Sequence, residues 1–425
     1  MRDVNVGLFR NRGFALLWIG GLISMTGDWA LRVAVPIAVY RMTGSPAATS
    51  AVVATVVAVS LLVSPLAGVF VDRWDRRSTL IVANAAQAVI LLPMLLVNRV
   101  ADLALLLALL AVQTTLARFV DPAEHALLPR LVPAADLAVA NSLNALNNNL
   151  ARLVGPALGG LVAASTGLAG AVLLDAASFL IAAVLVAGVP GRHRAALDAD
   201  HQQLGAGPLV KLGKDFAAGV RAAGRSPLLR AVFIVLALVG VGEGVMGSLF
   251  AVFVSGPLHG GAAELGWLAS GQAVGGIVGG LAGARIARRV PVHRRVAASM
   301  VVFGLVDIVI FNYPRWYTEV WPGVALMAVV GVPGAVMLAA FMTILQTEVD
   351  DAFRGRVFSA AMVTQAGAML AGTAIAATLT SRFGVIAVLT AQGAGYVLGG
   401  ACFALLARRS AQTSGAPEQH VVEVV

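Results

Sequence analysis

Apolar stretches of about 20 residues or more recur along almost the whole 425-residue chain, with short polar segments between them. As an α-helix, each stretch is long enough to cross the roughly 30 Å hydrocarbon core of a bilayer. Only 12% of the residues are charged, whereas a water-soluble domain carries about 25%. A membrane β-barrel would instead show short segments of alternating polarity, which this sequence lacks. The sequence therefore predicts an all-α integral membrane protein.

The hydropathy pattern predicts twelve transmembrane helices, spans 1 to 12 in chain order. The first stretch is too long for a signal-peptide core and has no small-residue cleavage pattern after it, so we interpret it as a span. The predicted spans are residues 14–40, 47–71, 79–97, 103–126, 138–165, 168–188, 229–254, 264–286, 296–313, 320–346, 355–380 and 385–407.

Basic residues are concentrated on one side of these spans. With a cytoplasmic N-terminus, 23 of the 30 Lys and Arg residues lie in cytoplasmic segments and 4 in outer loops. By the positive-inside rule, this bias predicts that both termini are cytoplasmic. The net charge of +9 does not indicate a nucleic-acid partner, because the basic residues form short clusters and are not interleaved with aromatic residues. We expect a multi-pass protein of a bacterial inner (plasma) membrane, in contact with lipid.

The longest polar stretch divides the chain into two halves of six spans each. We predict an N-terminal six-helix bundle over residues 1–189, a cytoplasmic linker over 190–228, a C-terminal bundle over 229–407 and a cytoplasmic tail without fixed structure over 408–425. This division predicts two pseudo-symmetric bundles.

The two halves also resemble each other in sequence. Gly27-Asp28 in span 1 corresponds to Gly242-Glu243 in span 7. Four residues at the end of span 2 recur at the end of span 8 at an offset of 212: Gly68, Arg73, Arg76 and Arg77 correspond to Gly280, Arg285, Arg288 and Arg289. Internal duplication is typical of transporter folds, whose substrate sites lie near the midplane between the repeats.

Five motifs, in chain order, resemble the major facilitator superfamily. Gly68-x-x-x-Asp72-Arg73-x-x-Arg76-Arg77 is similar to the loop signature of that superfamily, and Gly155-Pro156-Ala157-Leu158-Gly159-Gly160 resembles the glycine–proline motif of its drug:proton antiporters. Three stretches are similar to the branch of macrolide-efflux proteins and the enterobactin exporter: Leu16 to Asp28, Pro133 to Ser142 and Leu345 to Phe358. Span 4 lacks the Arg-x-x-x-Gly pattern of other antiporters, and Ala284 replaces the acidic residue in the second loop.

The resemblance implies two bundles that rock about a central cavity, which opens to each side of the membrane in turn. Spans 1, 2, 4, 5, 7, 8, 10 and 11 would line the cavity, and spans 3, 6, 9 and 12 would face lipid. The loop of Gly68, Asp72, Arg73, Arg76 and Arg77 would be a conformational switch, with Asp72 capping a neighbouring helix N-terminus that we expect to be span 11. Alternatively, these arginines only anchor the topology.

Four ionisable residues near mid-membrane are candidates for proton coupling, because a buried charge costs at least about 2.5–3.5 kcal/mol. Asp28 lies about 21 Å along span 1, and Arg32 follows four residues later on the same helix face. We hypothesise that Asp28 is the main coupling carboxylate, that an ion pair with Arg32 or Arg152 sets its proton affinity, and that Glu243 is a second carboxylate. The alternative is static ion pairing that fixes helix packing.

Uncharged polar residues near the middle of the spans are candidates for the substrate cavity. They could hydrogen-bond a substrate or only bridge helices; they are Gln113, Asn148, Gln272 and Gln365. In the antiporter motif, Gly155, Pro156, Gly159 and Gly160 favour close helix approach and a bend, with generic packing as the alternative. We expect structural roles for Asp175 and Asp307, and a gate-side or structural pair at Arg118 and Asp121.

These features predict a secondary active transporter that exports small amphipathic molecules by proton antiport. The six histidines are scattered and Cys402 is the single cysteine, so we expect no metal, no disulfide and no cofactor. ATP would not drive transport directly, because no Walker motif is present, and no nucleophile–base pair suggests an enzyme. The alternatives are an importer or uniporter, and a membrane receptor or assembly factor. The resemblance implies a monomer.

Overall fold

The computed structural model describes residues 7–71, 73–191, 208–224, 226–349 and 351–413. Within these ranges the regular structure is helical and contains no β-strand. Eleven helices of this part of the chain are long and apolar enough to cross a membrane. One of the eleven contains two crossings, so the predicted fold of twelve transmembrane helices in two six-helix bundles is confirmed.

The helices follow the predicted spans closely. Spans 1 to 3 are Arg12–Thr43, Pro46–Val71 and Arg76–Leu91, the last extended by the 3₁₀ turn Leu92–Leu96. Spans 7 to 12 are Pro227–Ser255, Ala262–Ala287, Val292–Asn312, Val320–Thr347, Asp351–Phe383 and Val385–Thr413. Short 3₁₀ turns occur at Val100–Asp102, Ala134–Asp136 and Tyr313–Arg315. A further helix in the predicted linker, Pro208–Ala223, packs against span 11 at Gly219.

Spans 5 and 6 form one helical stretch, Leu137–Ala187, of 51 residues. At 1.5 Å per residue this stretch is about 75 Å long, more than twice the thickness of the hydrocarbon core. Gly167 interrupts it with φ 69° and ψ −160°, a backbone conformation that strongly favours glycine. Asn147 and Ala182, from the two sides of Gly167, lie against the adjacent residues Gly21 and Gly20 of span 1. The chain therefore reverses direction at Gly167.

Span 4 consists of two helices, Leu103–Ala117 and Val120–Leu131. Pro122 follows the break and has no N–H to donate to the carbonyl of Arg118, so the regular hydrogen-bond ladder cannot continue through this point. The break lies beside the charged pair that the sequence singled out, Arg118 and Asp121. As a result, both side chains face a pocket inside the first bundle.

The antiporter motif of span 5 is a close packing surface. A Cβ atom at Gly155 or Gly159 would collide with Trp29 or Ala30 of span 1, and one at Gly160 would collide with the carbonyl of Ala262 of span 8. These glycines therefore let span 5 touch a helix of its own bundle and a helix of the other bundle at the same level.

The two bundles meet on the side of the membrane that lies opposite the arginine clusters. We call this side the distal side. The arginine-rich side carries Arg73, Arg76 and Arg77. On the distal side, Thr49 Oγ1 donates to the carbonyl of Ser248 at 2.7 Å. Closer to the middle of the spans, Ser270 Oγ donates to the carbonyl of Leu153 at 2.7 Å. The first bond joins span 2 to span 7 and closes the distal side between the bundles. The second joins span 5 to span 8 next to Arg152.

We expect Gly159→Ala to destabilise the protein by about 1–3 kcal/mol, because the added Cβ has no room against the backbone of Ala30. The control is Gly276→Ala in span 8, where the Cβ would enter open space and helix propensity favours alanine by up to about 1 kcal/mol. The measurement is the thermal midpoint of the detergent-solubilised chain by size-exclusion chromatography. Equal midpoints for the two variants would contradict the packing role.

Candidate functional site

A polar cluster joins the two bundles at mid-depth. The guanidinium of Arg152 on span 5 donates through Nη2 to Gln272 Oε1 on span 8 at 3.3 Å, and it interacts electrostatically with Glu243 on span 7. Glu243 Oε2 in turn accepts from Gln365 Nε2 on span 11 at 2.9 Å. Arg152 and Glu243 are solvent-exposed although they lie midway along their helices. With Gln272 and Gln365, they line a cleft between the bundles, and their roles in proton coupling and substrate binding stay predictions.

Asp28 belongs to a second cluster, inside the first bundle. Its Oδ1 accepts from Gln113 Nε2 at 3.2 Å, and the same amide nitrogen lies 3.4 Å from Gln87 Oε1 on span 3. The charges of Arg32, Arg118 and Asp121 act on Asp28. The Gln113 side chain thus points toward spans 1 and 3 and away from the cleft. It donates a hydrogen bond to Asp28, the carboxylate predicted to couple protons.

Arg32 makes a different contact from the one expected. The structure, which describes both residues, shows no direct salt bridge between Arg32 and Asp28. The Arg32 guanidinium instead lies over the ring of Trp29, with Cζ 4.8 Å from the ring centroid, and Arg152 Cζ lies 5.8 Å from the same centroid. Arg32 turns back toward its own helix because the indole face offers a cation–π contact close to the Asp28 charge. Trp29 thereby connects the Asp28 cluster to the cleft.

The polar pocket inside the first bundle has a volume of about 210 Å³. It contains Asp28, Arg32 and Asn148 together with three charged residues of span 4: Arg118, Asp121 and Glu124. Glu124 Oε1 accepts from Asn144 Nδ2 of span 5 at 3.2 Å. Of the predicted site residues, Asp28, Arg32 and Asn148 therefore share this pocket, while Glu243, Gln272 and Gln365 belong to the cleft.

The corresponding residues Gly27 and Gly242 have the same role in the two bundles. A Cβ at Gly27 would overlap the side chains of Asp175 and Ser178 on span 6, and one at Gly242 would overlap the Tyr396 hydroxyl on span 12. Each glycine thus makes room for a polar side chain behind the carboxylate that follows it in sequence, Asp28 or Glu243. The predicted correspondence between spans 1 and 7 therefore has a packing basis.

Asp175 and Asp307 are buried behind these carboxylates. Asp175 is 0% exposed and its Oδ1 accepts from Ser178 Oγ at 3.2 Å; Asp307 is 3% exposed and its Oδ2 lies 3.5 Å from Gln392 Nε2 on span 12. Both side chains are buried, and their expected structural roles stay predictions.

The end of the predicted switch loop that leads into span 3 is hydrogen-bonded to the end of span 6. Arg77 donates through Nε to the carbonyl of Val186 at 3.3 Å and through Nη2 to the carbonyl of Ala187, at the end of span 6. A cation there compensates the negative end of the helix dipole. Arg73 and Arg76 flank the start of span 3, and Gly68 has open space beside it. Asp72 lies outside the described residues, so its expected contact with span 11 stays a prediction.

Sequence reasoning missed three polar residues of the first bundle: Asn84, Gln87 and Glu124. Gln87 and Asn84 lie in span 3, which we expected to face lipid, yet their side chains are 0% and 3% exposed. Their spacing of three residues places both amides on one helix face. This spacing is the feature of the sequence that could have predicted their burial against other spans. Glu124 follows Asp121 by three residues in the polar end of span 4. In the described residues, no group of three or more His, Cys, Asp or Glu side chains is placed to hold a metal.

Comparison with known proteins identifies the family. A family model described as a transmembrane secretion effector of the major facilitator type matches residues 5–424. The chain belongs to this family. A curated relative, the uncharacterized MFS-type transporter YfiS of Bacillus subtilis, is 25% identical over 185 residues, which are 43% of this chain. The match spans only 44% of the length of YfiS. This transporter is therefore a multi-pass membrane protein of the major facilitator superfamily.

Solved structures share its fold. The nucleoside transporter NupG matches with a TM-score of 0.77 and 12% identity, over 92% of this chain and 99% of that one. A bacterial homologue of the iron transporter ferroportin, in an inward-facing state, matches with a TM-score of 0.69 and 17% identity over 92% and 98% of the chains. A bacterial homologue of the lysosomal transporter Spinster matches with 0.68 and 14% over 98% and 100%. These similarities show the fold alone.

We expect Trp29→Leu to lower the thermal midpoint of this transporter, whereas Trp29→Phe retains most of it. The leucine variant loses two cation–π contacts, each worth about 0.5–1 kcal/mol or more, and phenylalanine keeps an aromatic face. Trp316→Leu, at a position 80% exposed, is the control for loss of an indole. If Trp29→Phe were as unstable as Trp29→Leu, the contacts with Arg32 and Arg152 would not contribute.

Proposed function

We propose that this protein is a secondary active transporter that exports small amphipathic molecules, such as drugs, siderophores or secondary metabolites, by proton antiport with alternating access. The main support for this proposal is the cluster of Arg152, Gln272 and Glu243. In it, Arg152 of the first bundle contacts Gln272 and Glu243 of the second bundle in a cleft at mid-depth. Polar groups at this depth are costly unless they are paired or bind a transported species. A substrate entering the cleft meets residues of both bundles at once.

Alternating access is supported by the closure of the distal side. Thr49–Ser248 and Ser270–Leu153 are single hydrogen bonds from a hydroxyl to a main-chain carbonyl. Each such bond contributes about 0.5–1.5 kcal/mol net, so the two can be exchanged for contacts on the other side without unfolding either bundle. Buried apolar residues of spans 1 and 2 and of spans 7 and 8 also belong to one hydrophobic core, so a rocking motion has to separate these apolar faces as well.

Proton coupling is supported by the position of Asp28. It lies halfway along span 1, and it is held by a neutral amide from Gln113 instead of a direct arginine salt bridge. Arg32 and Arg118 act on it from a distance, so small movements of spans 1 and 4 change the balance between its charged and neutral forms. Glu243, between Gln365 and Arg152, is the corresponding carboxylate of the second bundle.

The direction of transport is supported by the family description, secretion effector, and by the resemblance of the span 5 motif to drug:proton antiporters. In this proposal the arginine-rich side is cytoplasmic, the membrane is the bacterial plasma membrane, and the protein works as a monomer with protons and a small-molecule substrate as its partners. Lipid surrounds it, and nucleic acid has no part in the cycle.

We expect Asp28→Asn to abolish proton-driven efflux of ethidium from an efflux-deficient bacterial host, because asparagine cannot carry a proton. Ethidium accumulation is followed by fluorescence in energised cells with matched protein levels. Glu319→Gln, an exposed carboxylate in the loop before span 10, should behave as wild type. Unchanged efflux in Asp28→Asn would remove Asp28 from the mechanism. Uptake of ethidium by the wild type would favour import, and no transport of ethidium, erythromycin or a catecholate siderophore would favour a receptor or assembly role.

A disulfide across the closed distal side should stop transport reversibly. Val53 Cγ1 on span 2 lies 3.5 Å from the Cβ position of Gly247 on span 7, a separation that suits a disulfide between the two positions. In a Cys402→Ser background, we expect Val53→Cys with Gly247→Cys to lose efflux on oxidation and to regain it on reduction. The single variant Val53→Cys should not respond. Full activity of the oxidised, cross-linked protein would contradict alternating access at this interface.

A further inference from the structure

A groove on the second bundle lies between spans 11 and 12, with span 7 as its floor. Its volume is about 440 Å³. Of the described residues that line it, only Gln392 has a polar side chain. The Nε2 atom of Gln392 lies 3.5 Å from Asp307 Oδ2 of span 9, so this amide is directed into the bundle. The groove is therefore an apolar surface.

The groove and the cleft are on opposite sides of span 7. Span 7 contributes Leu238, Val241, Gly242 and Val245, whose spacing of i, i+3, i+4 and i+7 places them on one helix face. Glu243, which faces the cleft, lies about 150° around the helix from the middle of this face, at 3.6 residues per turn. The groove therefore opens toward the surrounding lipid and not toward the cleft.

The groove exists because spans 11 and 12 pack on span 7 more than on each other. Only Gly384, with φ 82°, separates the end of span 11 from the start of span 12. Gly372 of span 11 lies against the backbone of Val241, and Gly242 makes room for Tyr396 of span 12. The two helices are thus joined at their distal ends and leave a gap between them over span 7.

The groove has the length of one membrane leaflet. Its lining extends from Ile375 to Phe383 on span 11 and from Ala387 to Gly395 on span 12, which is about 12 Å on each helix. Phe383 is the last residue of span 11 on the distal side, and Gly395 lies midway along the apolar part of span 12. Half of the hydrocarbon core is about 15 Å thick. The groove therefore extends from the distal end of the spans to mid-depth.

A single acyl chain fits this groove better than a helix of another protein. A helix about 10 Å wide and 12 Å long occupies roughly 1,000 Å³, more than twice the volume of the groove. An unbranched hydrocarbon chain is much narrower. Leu379 and Phe383, which are 40% and 57% exposed, present apolar surface to it. Without an occupant, these side chains would lose van der Waals contacts on their open side.

A cation lies at the distal end of the groove. Arg382 precedes Phe383, and its Cζ is 5.5 Å from the centroid of the Phe383 ring. No described residue accepts a hydrogen bond from Arg382 or forms a salt bridge with it. Its charge partly compensates the dipole at the end of span 11, but its donors stay available. A guanidinium binds a phosphate group through two parallel hydrogen bonds, so the charge of this end suits a lipid headgroup.

We propose that this groove binds one anionic phospholipid of the distal leaflet, with an acyl chain between spans 11 and 12 and the phosphate on the guanidinium of Arg382. The acyl chain fills the gap between the two helices and so stabilises the second bundle. Phosphatidylglycerol suits the site better than phosphatidylethanolamine, because it carries no ammonium group to oppose Arg382. The site is separate from the cleft, so it depends neither on the substrate nor on the direction of transport.

The headgroup contact is tested by native mass spectrometry of the delipidated transporter in detergent, titrated with dioleoyl phosphatidylglycerol or dioleoyl phosphatidylethanolamine. We expect one tightly bound phosphatidylglycerol and weaker binding of phosphatidylethanolamine. Arg382→Gln should weaken phosphatidylglycerol binding about fivefold and remove the preference, while Arg382→Lys keeps the preference because it keeps the charge. Arg315→Gln, at another exposed arginine of the distal side, is the matched control and should bind as wild type.

The groove itself is tested by filling it. Ala391→Phe places a ring between spans 11 and 12, so we expect it to lose the tight complex with phosphatidylglycerol. It should also lose the rise in thermal midpoint that this lipid gives the wild type by binding the folded state. Ala391→Leu fills less of the groove and should be intermediate, and it decides the test if Ala391→Phe does not fold. The control is Ala401→Phe, at an exposed position of the same helix outside the groove.

Three outcomes would overturn the site. Equal affinity of the wild type for both lipids, unchanged in Arg382→Gln, would show that the headgroup is not recognised. Wild-type binding and stabilisation in both Ala391 variants would place the lipid elsewhere. Loss of the lipid effect in Ala401→Phe to the same extent would indicate an unspecific lipid shell. None of these measurements involves transport, so their failure leaves the proposed function intact, and failure of proton-driven efflux leaves the lipid site intact.

Discussion

The rest of the structure depends on the need to pair every polar side chain that lies deep in the membrane. Hydrocarbon offers no hydrogen bonds, so an unpaired charge or amide there costs several kcal/mol. Asp28 is paired with Gln113, Glu243 with Gln365, and Arg152 with Gln272. In each pair the partners come from different spans, so each pair specifies how one helix is rotated relative to another.

Small residues make these pairs possible. Gly155 and Gly159 bring span 5 against span 1, and this contact places Arg152 near Trp29. Gly27 and Gly242 leave space behind the two carboxylates for polar side chains of spans 6 and 12. The two bundles use the same solution at corresponding positions, which is what duplication of a six-span unit would produce.

The two bundles are held together by fewer and weaker polar contacts than the helices within each bundle. The Thr49–Ser248 bond closes the distal side, and the Ser270–Leu153 and Arg152–Gln272 bonds join the bundles nearer mid-depth. Apolar packing also crosses the interface, because one buried core includes residues of spans 1 and 2 and of spans 7 and 8. The polar pocket lies within the first bundle and is lined by spans 1, 3, 4, 5 and 6.

The sequence by itself determined the twelve spans, their division into two halves and the motifs of the family, because the length of an apolar helix and the position of a charge are local properties that the bilayer selects. It also identified Asp28, Arg152 and Glu243 as ionisable residues near the middle of the spans, because a charged residue in an apolar run is visible without a structure. Only the tertiary structure decided their partners. Arg32 turned to Trp29, Gln113 turned to Asp28, and Asn84, Gln87 and Glu124 joined the pocket. These contacts depend on helix rotation and close approach between spans distant in sequence, which hydropathy does not encode.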